Sequence, residues 1–199
     1  PANRAGGGLR VRLAAHKLMP ATVAITQNLA DIGAAISSAL ALMPLDELVR
    51  GKLVAVKPNE TWASAKDTTG VTQPDTLRAV LRAVKARGPR QLVVSGGAGA
   101  EETENVFRFA GLDRVIRDEG VEFFDHNRAP FESVELTYGS DPEVKGPQQA
   151  VMVNNPRVLE YETLIALSQL KLHSTATVTM ALKNIAMSFP AADYYGHPR

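Results

Sequence analysis

Cysteine is absent from this 199-residue chain, and its absence removes disulfides, thiolate zinc sites, cysteine nucleophiles and any cysteine-held iron–sulfur cluster. Charge of one sign is lacking as well. The 22 basic and 21 acidic residues leave a formal net charge of +1, and no arginine-rich stripe is interleaved with aromatics, so nucleic acid is not an expected partner. Long hydrophobic runs are also missing. The longest apolar region, residues 32–43, contains Ser37 and Ser38 and falls well short of the roughly 20 residues that a membrane-crossing helix needs. A soluble protein with no membrane partner is expected. The opening residues 1–8 have no contiguous apolar core of the kind a signal peptide requires. A cytoplasmic location follows, with export before processing as the open alternative.

What is present suits one globular domain: 45% of the residues are hydrophobic and 22% charged. Residues 1–18 read as a flexible leader and residues 19–199 as a single α/β domain, with a domain that lacks further C-terminal elements as the open alternative. Apolar runs at 22–26, 53–56, 91–94, 121–124 and 164–170 predict strands. Helices are expected over 31–42, from Thr72 to Val84 with Pro74 in the first turn, over 101–109 and over 111–119, with a short turn at 45–50. Two further strands, at 131–138 and 149–153, flank a Gly/Pro-bearing loop. Strands alternating with helices argue for a three-layer α/β domain with a mainly parallel central sheet and an antiparallel edge pair. In such a sheet the loops after successive strands share one rim, where open α/β sheets hold their ligands.

Four segments should meet on that rim: Lys57 to Glu60, Ser95 to Ala100, Asp125 to Asn127, and Lys171 to His173. Ser95, Gly96, Gly97 and Gly99 follow a strand and precede a helix, the order in which backbone N–H groups cradle a phosphate, although the spacing matches neither common nucleotide fingerprint. Lys57, Lys171 and Lys183 follow or sit within apolar segments, where a charge is costly unless paired, and could converge on a carboxylate or phosphate. A desolvated lysine among other cations would also suit base or Schiff-base chemistry. His173 is the best candidate for acid–base work, since an imidazole titrates near neutrality. His126 and His197 would complete a three-histidine metal site only if the fold gathered them, and no metal is assigned. Thr175, Thr177 and Thr179 read as helix-start and packing residues.

Three separated motifs, Val54 to Asn59, Gly70 to Pro74 and Leu170 to Asn184, together resemble the domain of unknown function 362 family of bacterial and archaeal proteins. The likeness covers about residues 50–197. It implies an α/β protein of unassigned activity in which Lys57, Asn59, Lys171, His173, Lys183 and Asn184 occupy the characteristic positions. Some relatives carry an appended cysteine-rich ferredoxin-like module, from which this chain departs completely. Members often continue beyond the point at which this chain stops, so a short member or a fragment is expected.

The leading expectation is an enzyme-like domain that binds a small anionic metabolite, with no cofactor assigned. Lys57 and Lys183 would hold the anion, His173 and Lys171 would act catalytically, and Asn59 and Asn184 would orient the ligand. The rival is a noncatalytic partner protein, either a redox accessory without its own iron–sulfur cluster or a structural subunit, acting as a homo-oligomer or on a redox partner.

Overall fold

The computed structural model describes residues 23–136, 150–173, 177–186 and 189–196. The expected leader, Thr22, Tyr138, Gln149, Thr175 and His197 lie outside the described residues. The first helix, α1 (Ile32–Leu40), starts where Asp31 accepts a 3.0 Å hydrogen bond from Ala34 N–H, a cap that contributes about 1 kcal/mol. The short turn expected next is instead a helix, α2 (Leu45–Val49), because Leu45 and Val49 both have core to reach.

Four parallel strands form the central sheet in the order β3-β2-β1-β6: β1 (Leu53–Pro58), β2 (Gln91–Gly96), β3 (Glu122–Asp125) and β6 (Thr163–Leu167). Between them run α3 (Pro74–Lys85), α4 (Thr103–Ala110) and α5 (Leu112–Glu119). Gly111, at φ 70°, supplies the left-handed turn that joins α4 to α5. The period-2 alternation of β1 turns Val54 and Val56 towards the helices, where they join Leu77, Leu81, Val106 and Leu112 in one buried cluster. Each fully buried leucine there contributes about 1.5–3 kcal/mol. Ala55 and Lys57 therefore take the opposite face.

The predicted α/β fold with a mainly parallel sheet is the observed one. The antiparallel pair β4 (Glu132–Leu136) and β5 (Ala150–Asn154) forms a separate two-stranded sheet. Three expectations need correction. Residues 23–26 form no strand; no neighbouring strand lies beside them, and Val23 and Ile25 are exposed. The apolar run 164–170 is not one buried strand, because β6 is a half-buried edge that the chain leaves at Leu167. Lys171 and His173 instead open a hairpin of their own, β7 (Lys171–His173) with β8 (Thr177–Thr179), so Thr177 and Thr179 are strand residues and the helix α6 (Ala181–Ala186) begins after them. The described chain ends in α7 (Ala192–Tyr195).

Candidate functional site at the carboxyl rim

Lys57 lies near the end of the most buried strand, so its ammonium must find a partner inside the protein. Its Nζ donates to Glu60 Oε1 at 2.5 Å and to the Pro58 carbonyl at 2.9 Å. Glu60 Oε1 accepts a second bond, from Gly97 N–H at 3.0 Å, and each of the paired side chains is only 1% exposed. Burial pushes the Lys57 ammonium below the ordinary lysine range and the Glu60 carboxyl above the ordinary carboxylate range, while the opposite charge of each partner resists both movements.

Amides knit the next layer. Asn184, on α6, donates through Nδ2 to the Lys57 carbonyl at 3.2 Å and accepts from Asn59 Nδ2 at 3.4 Å. This fastens α6 to the end of β1. Asn59 N–H donates to Thr72 Oγ1 at 2.8 Å, and that hydroxyl donates to the Leu167 carbonyl at 2.7 Å. The loop after β1 is thus tied to the carboxyl end of β6.

The β7–β8 hairpin reverses the usual patterning of a surface hairpin. Lys171 pairs with Thr179 and Leu172 with Val178, and residues two apart share a face. Thr179 is fully buried and Lys171 half-buried, whereas Leu172 is 91% exposed. The polar face turns Thr179 inward and half-buries Lys171 and His173, leaving Thr177 exposed, while the apolar face meets solvent. Lys171 Nζ also donates to the Gly70 carbonyl. Burial, with the nearby Lys183 ammonium adding to it, holds Lys171 below the ordinary lysine range, and Glu60 partly offsets this. Lys183→Ala should therefore raise the Lys171 titration midpoint, read by NMR on ¹³C-labelled lysine; an unmoved midpoint would show the two ammonium groups to be independent.

The glycine turn differs from the expected open cradle. Gly97 N–H is taken by Glu60, Ala98 N–H by Thr103 Oγ1 at 3.1 Å, and the N–H groups of Gly99 and Ala100 by the Thr61 carbonyl at 3.3 and 3.2 Å. A carboxylate of the chain itself stands where an anion was expected. Gly96 and Gly97 serve close packing: a Cβ at Gly96 would lie 2.4 Å from Phe107 Cζ, and one at Gly97 would lie 2.6 Å from His126 Nε2. Ser95 is buried and turned to His126 Nδ1 at 3.2 Å, and it accepts from Tyr161 Oη at 3.0 Å. It belongs to this second polar chain of Ser95, His126 and Tyr161.

Lys57, Asn59, Lys171, Lys183 and Asn184 are thus brought together, with His173 two residues along the hairpin on the Lys171 side. Ser95, Gly96 and Gly99 are not part of the cluster. Glu60 and Thr179 are members that were not selected from the sequence, although an acid three residues after a lysine in a buried strand is a readable signal for an ion pair. Among the described residues no three His, Cys, Asp or Glu side chains stand where they could hold a metal ion. No described helix is long and apolar enough to cross a membrane. An open groove between α1 and α3 is a different place, and its guanidinium groups are already engaged: Arg78 and Arg82 with Glu119, Arg87 with Asp46.

Fold and rim together define an α/β protein whose parallel sheet ends in a cluster of lysines and amides around one buried carboxylate. Residues 54–197 match the family described as Domain of unknown function (DUF362), and the chain belongs to that family. No curated protein and no solved structure matches the chain.

Proposed function

We propose that the protein binds a small anionic metabolite, bearing a carboxylate or a phosphate, at this rim. Lys171 and Lys183 hold the anion. Asn59 and Asn184 orient it, and Lys57 is the internal counter-charge that keeps Glu60 in place rather than a direct anion ligand. His173, on the Lys171 side of the hairpin, is the imidazole placed there to pass a proton to or from the ligand.

The reversed hairpin carries this reading. Folding alone would bury Leu172 and expose Lys171, so the opposite arrangement is maintained at a cost, as expected when polar groups are kept for a ligand. Thermal-shift measurements with inorganic phosphate, pyrophosphate and short mono- and dicarboxylates provide the test, because a ligand selective for the folded state raises its apparent stability. The wild type should respond to at least one of these anions, and Lys171→Ala should lose most of the response. Equal responses in the two proteins would remove Lys171 from the site.

The rival, a noncatalytic partner protein, draws on the exposed apolar side chains Leu170, Leu172, Val178, Met180 and Leu182. It predicts no shift with any anion, together with a species heavier than the 21.4 kDa chain by light scattering.

A further inference from the structure

Asn59 Oδ1, Glu60 Oε2 and Thr179 Oγ1, on residues bonded to the Lys57–Asn184 network or paired with Lys171, are buried and have no hydrogen-bond partner among the described residues. Their residues are 3%, 1% and 0% exposed. The orientation of the Asn59 amide follows from its neighbours. Asn184 Nδ2 is committed to the Lys57 carbonyl, so Asn184 presents its oxygen to Asn59, which must answer with Nδ2 and leave Oδ1 unanswered. Glu60 uses Oε1 for both Lys57 and Gly97, and Oε2 is left. Asn59 Oδ1 and, in the carboxylate that pairs with Lys57, Glu60 Oε2 can only accept a hydrogen bond, and Thr179 Oγ1 can accept or donate. Each buried group left in this state costs about 1–3 kcal/mol.

We infer that the ligand of this rim carries hydrogen-bond donors, hydroxyl or ammonium, beside its anionic group. The inference rests on the reading of the rim as an anion site and specifies what kind of anion fits. An anion offering only acceptors would satisfy Lys171 and Lys183, but it would set lone pairs against Glu60 Oε2 and Asn59 Oδ1. A simple cation would satisfy Glu60, but Lys57, Lys171 and Lys183 would repel it. A hydroxy- or amino-substituted carboxylate, or a phosphate ester of a polyol, answers both sets of groups. Its anionic end lies towards the two lysines, and its donors meet Glu60, Asn59 and Thr179.

Matched probes separate the two claims. Acetate, glycolate and glycine share a carboxylate and differ in the donor; sulfate, which carries no O–H at neutral pH, and glycerol 3-phosphate make the same contrast for a tetrahedral oxyanion. Titration calorimetry on the whole chain should show the donor-bearing member of one series binding about tenfold tighter than its plain counterpart. Glu60→Gln should reduce that preference to about twofold, because the amide can turn its own donor to the site. Should Glu60→Gln fail to fold, Thr179→Val keeps the Lys57–Glu60 pair and should narrow the preference for the donor-bearing probe about fivefold. Plain and donor-bearing probes binding within about twofold of each other would overturn this inference and leave the anion site standing. Binding of none of the five would overturn the anion site itself, and a high-resolution structure would then show ordered water alone on the three atoms.

Discussion

Lys57→Met should lower the unfolding free energy by about 3–5 kcal/mol, the largest effect expected from any single substitution at this rim. Methionine fills much of the space of lysine, so the loss reports the charge rather than a cavity. It leaves Glu60, 1% exposed, with the Gly97 N–H and the more distant Lys171 ammonium as its remaining support. The loss should depend on pH. Burial already raises the Glu60 carboxyl above its ordinary range, and removing Lys57 takes away the main group that opposes the rise. A carboxyl whose folded-state pKa lies above its unfolded value stabilises the protein most below the unfolded value, and that stabilisation is lost as pH climbs through the folded one. The variant should therefore stand nearest the wild type at about pH 5 and furthest below it at about pH 8.

Urea unfolding at both pH values measures this directly. Lys57→Met combined with Glu60→Met should recover at least half of the loss and show little of the pH dependence, since no unpaired charge remains. A single-variant loss under about 1 kcal/mol at both pH values would mean that the pair is solvated and does not organise the rim.

Sequence patterning showed the fold most clearly where a segment's own pattern decides its state. Residues 53–56 form a strand because a continuous apolar run at the centre of a parallel sheet is buried on both faces, and α3 is marked by Pro74 at its start and an apolar stripe along it. Residues 22–26 carry similar apolar character, yet a strand also needs a neighbour, which patterning within the segment cannot supply. The run 164–170 fails for a related reason: apolarity does not mark the residue at which a chain leaves the sheet, and here Leu167 is held by Thr72, 95 residues away.

The site divides in the same way. Lys57, Lys171 and Lys183 stood out because a lysine beside apolar residues is locally anomalous. Glu60 became meaningful only once Lys57 was known to be buried. His126 and Tyr161 lie 31 and 66 residues from Ser95, and only the tertiary fold brings them together. The glycine turn misled for a physical reason. Glycine serves backbone donation to an anion and close approach of side chains equally well, and spacing does not distinguish the two.

Gly97→Ala distinguishes them by experiment, with an expected loss of about 1–3 kcal/mol. The new methyl carbon would sit 2.6 Å from His126 Nε2, 2.7 Å from its Cδ2 and 2.8 Å from Asn127 Cγ, and neither neighbour is a loose surface group. His126 is held by Ser95, and its backbone N–H bonds the Gly96 carbonyl at 3.0 Å. Asn127 donates to the Ala98 carbonyl at 2.8 Å and accepts from Ala192 N–H at 3.1 Å. Gly97 has no left-handed backbone angle, so alanine meets no conformational penalty there and the cost is steric. Gly120→Ala is the matched control: it sits at φ 60° with nothing within 4 Å of the added carbon, and so isolates backbone strain, worth about 1 kcal/mol. In Gly97→Ala the strain should also travel outward, because the Gly97 N–H bonded to Glu60 moves with the turn. Imidazole resonances of His126 and lysine resonances of Lys57 should then shift together in NMR spectra. Chemical denaturation showing Gly97→Ala within about 0.5 kcal/mol of wild type would mean that the ring yields freely and that the turn has room for an outside ligand after all.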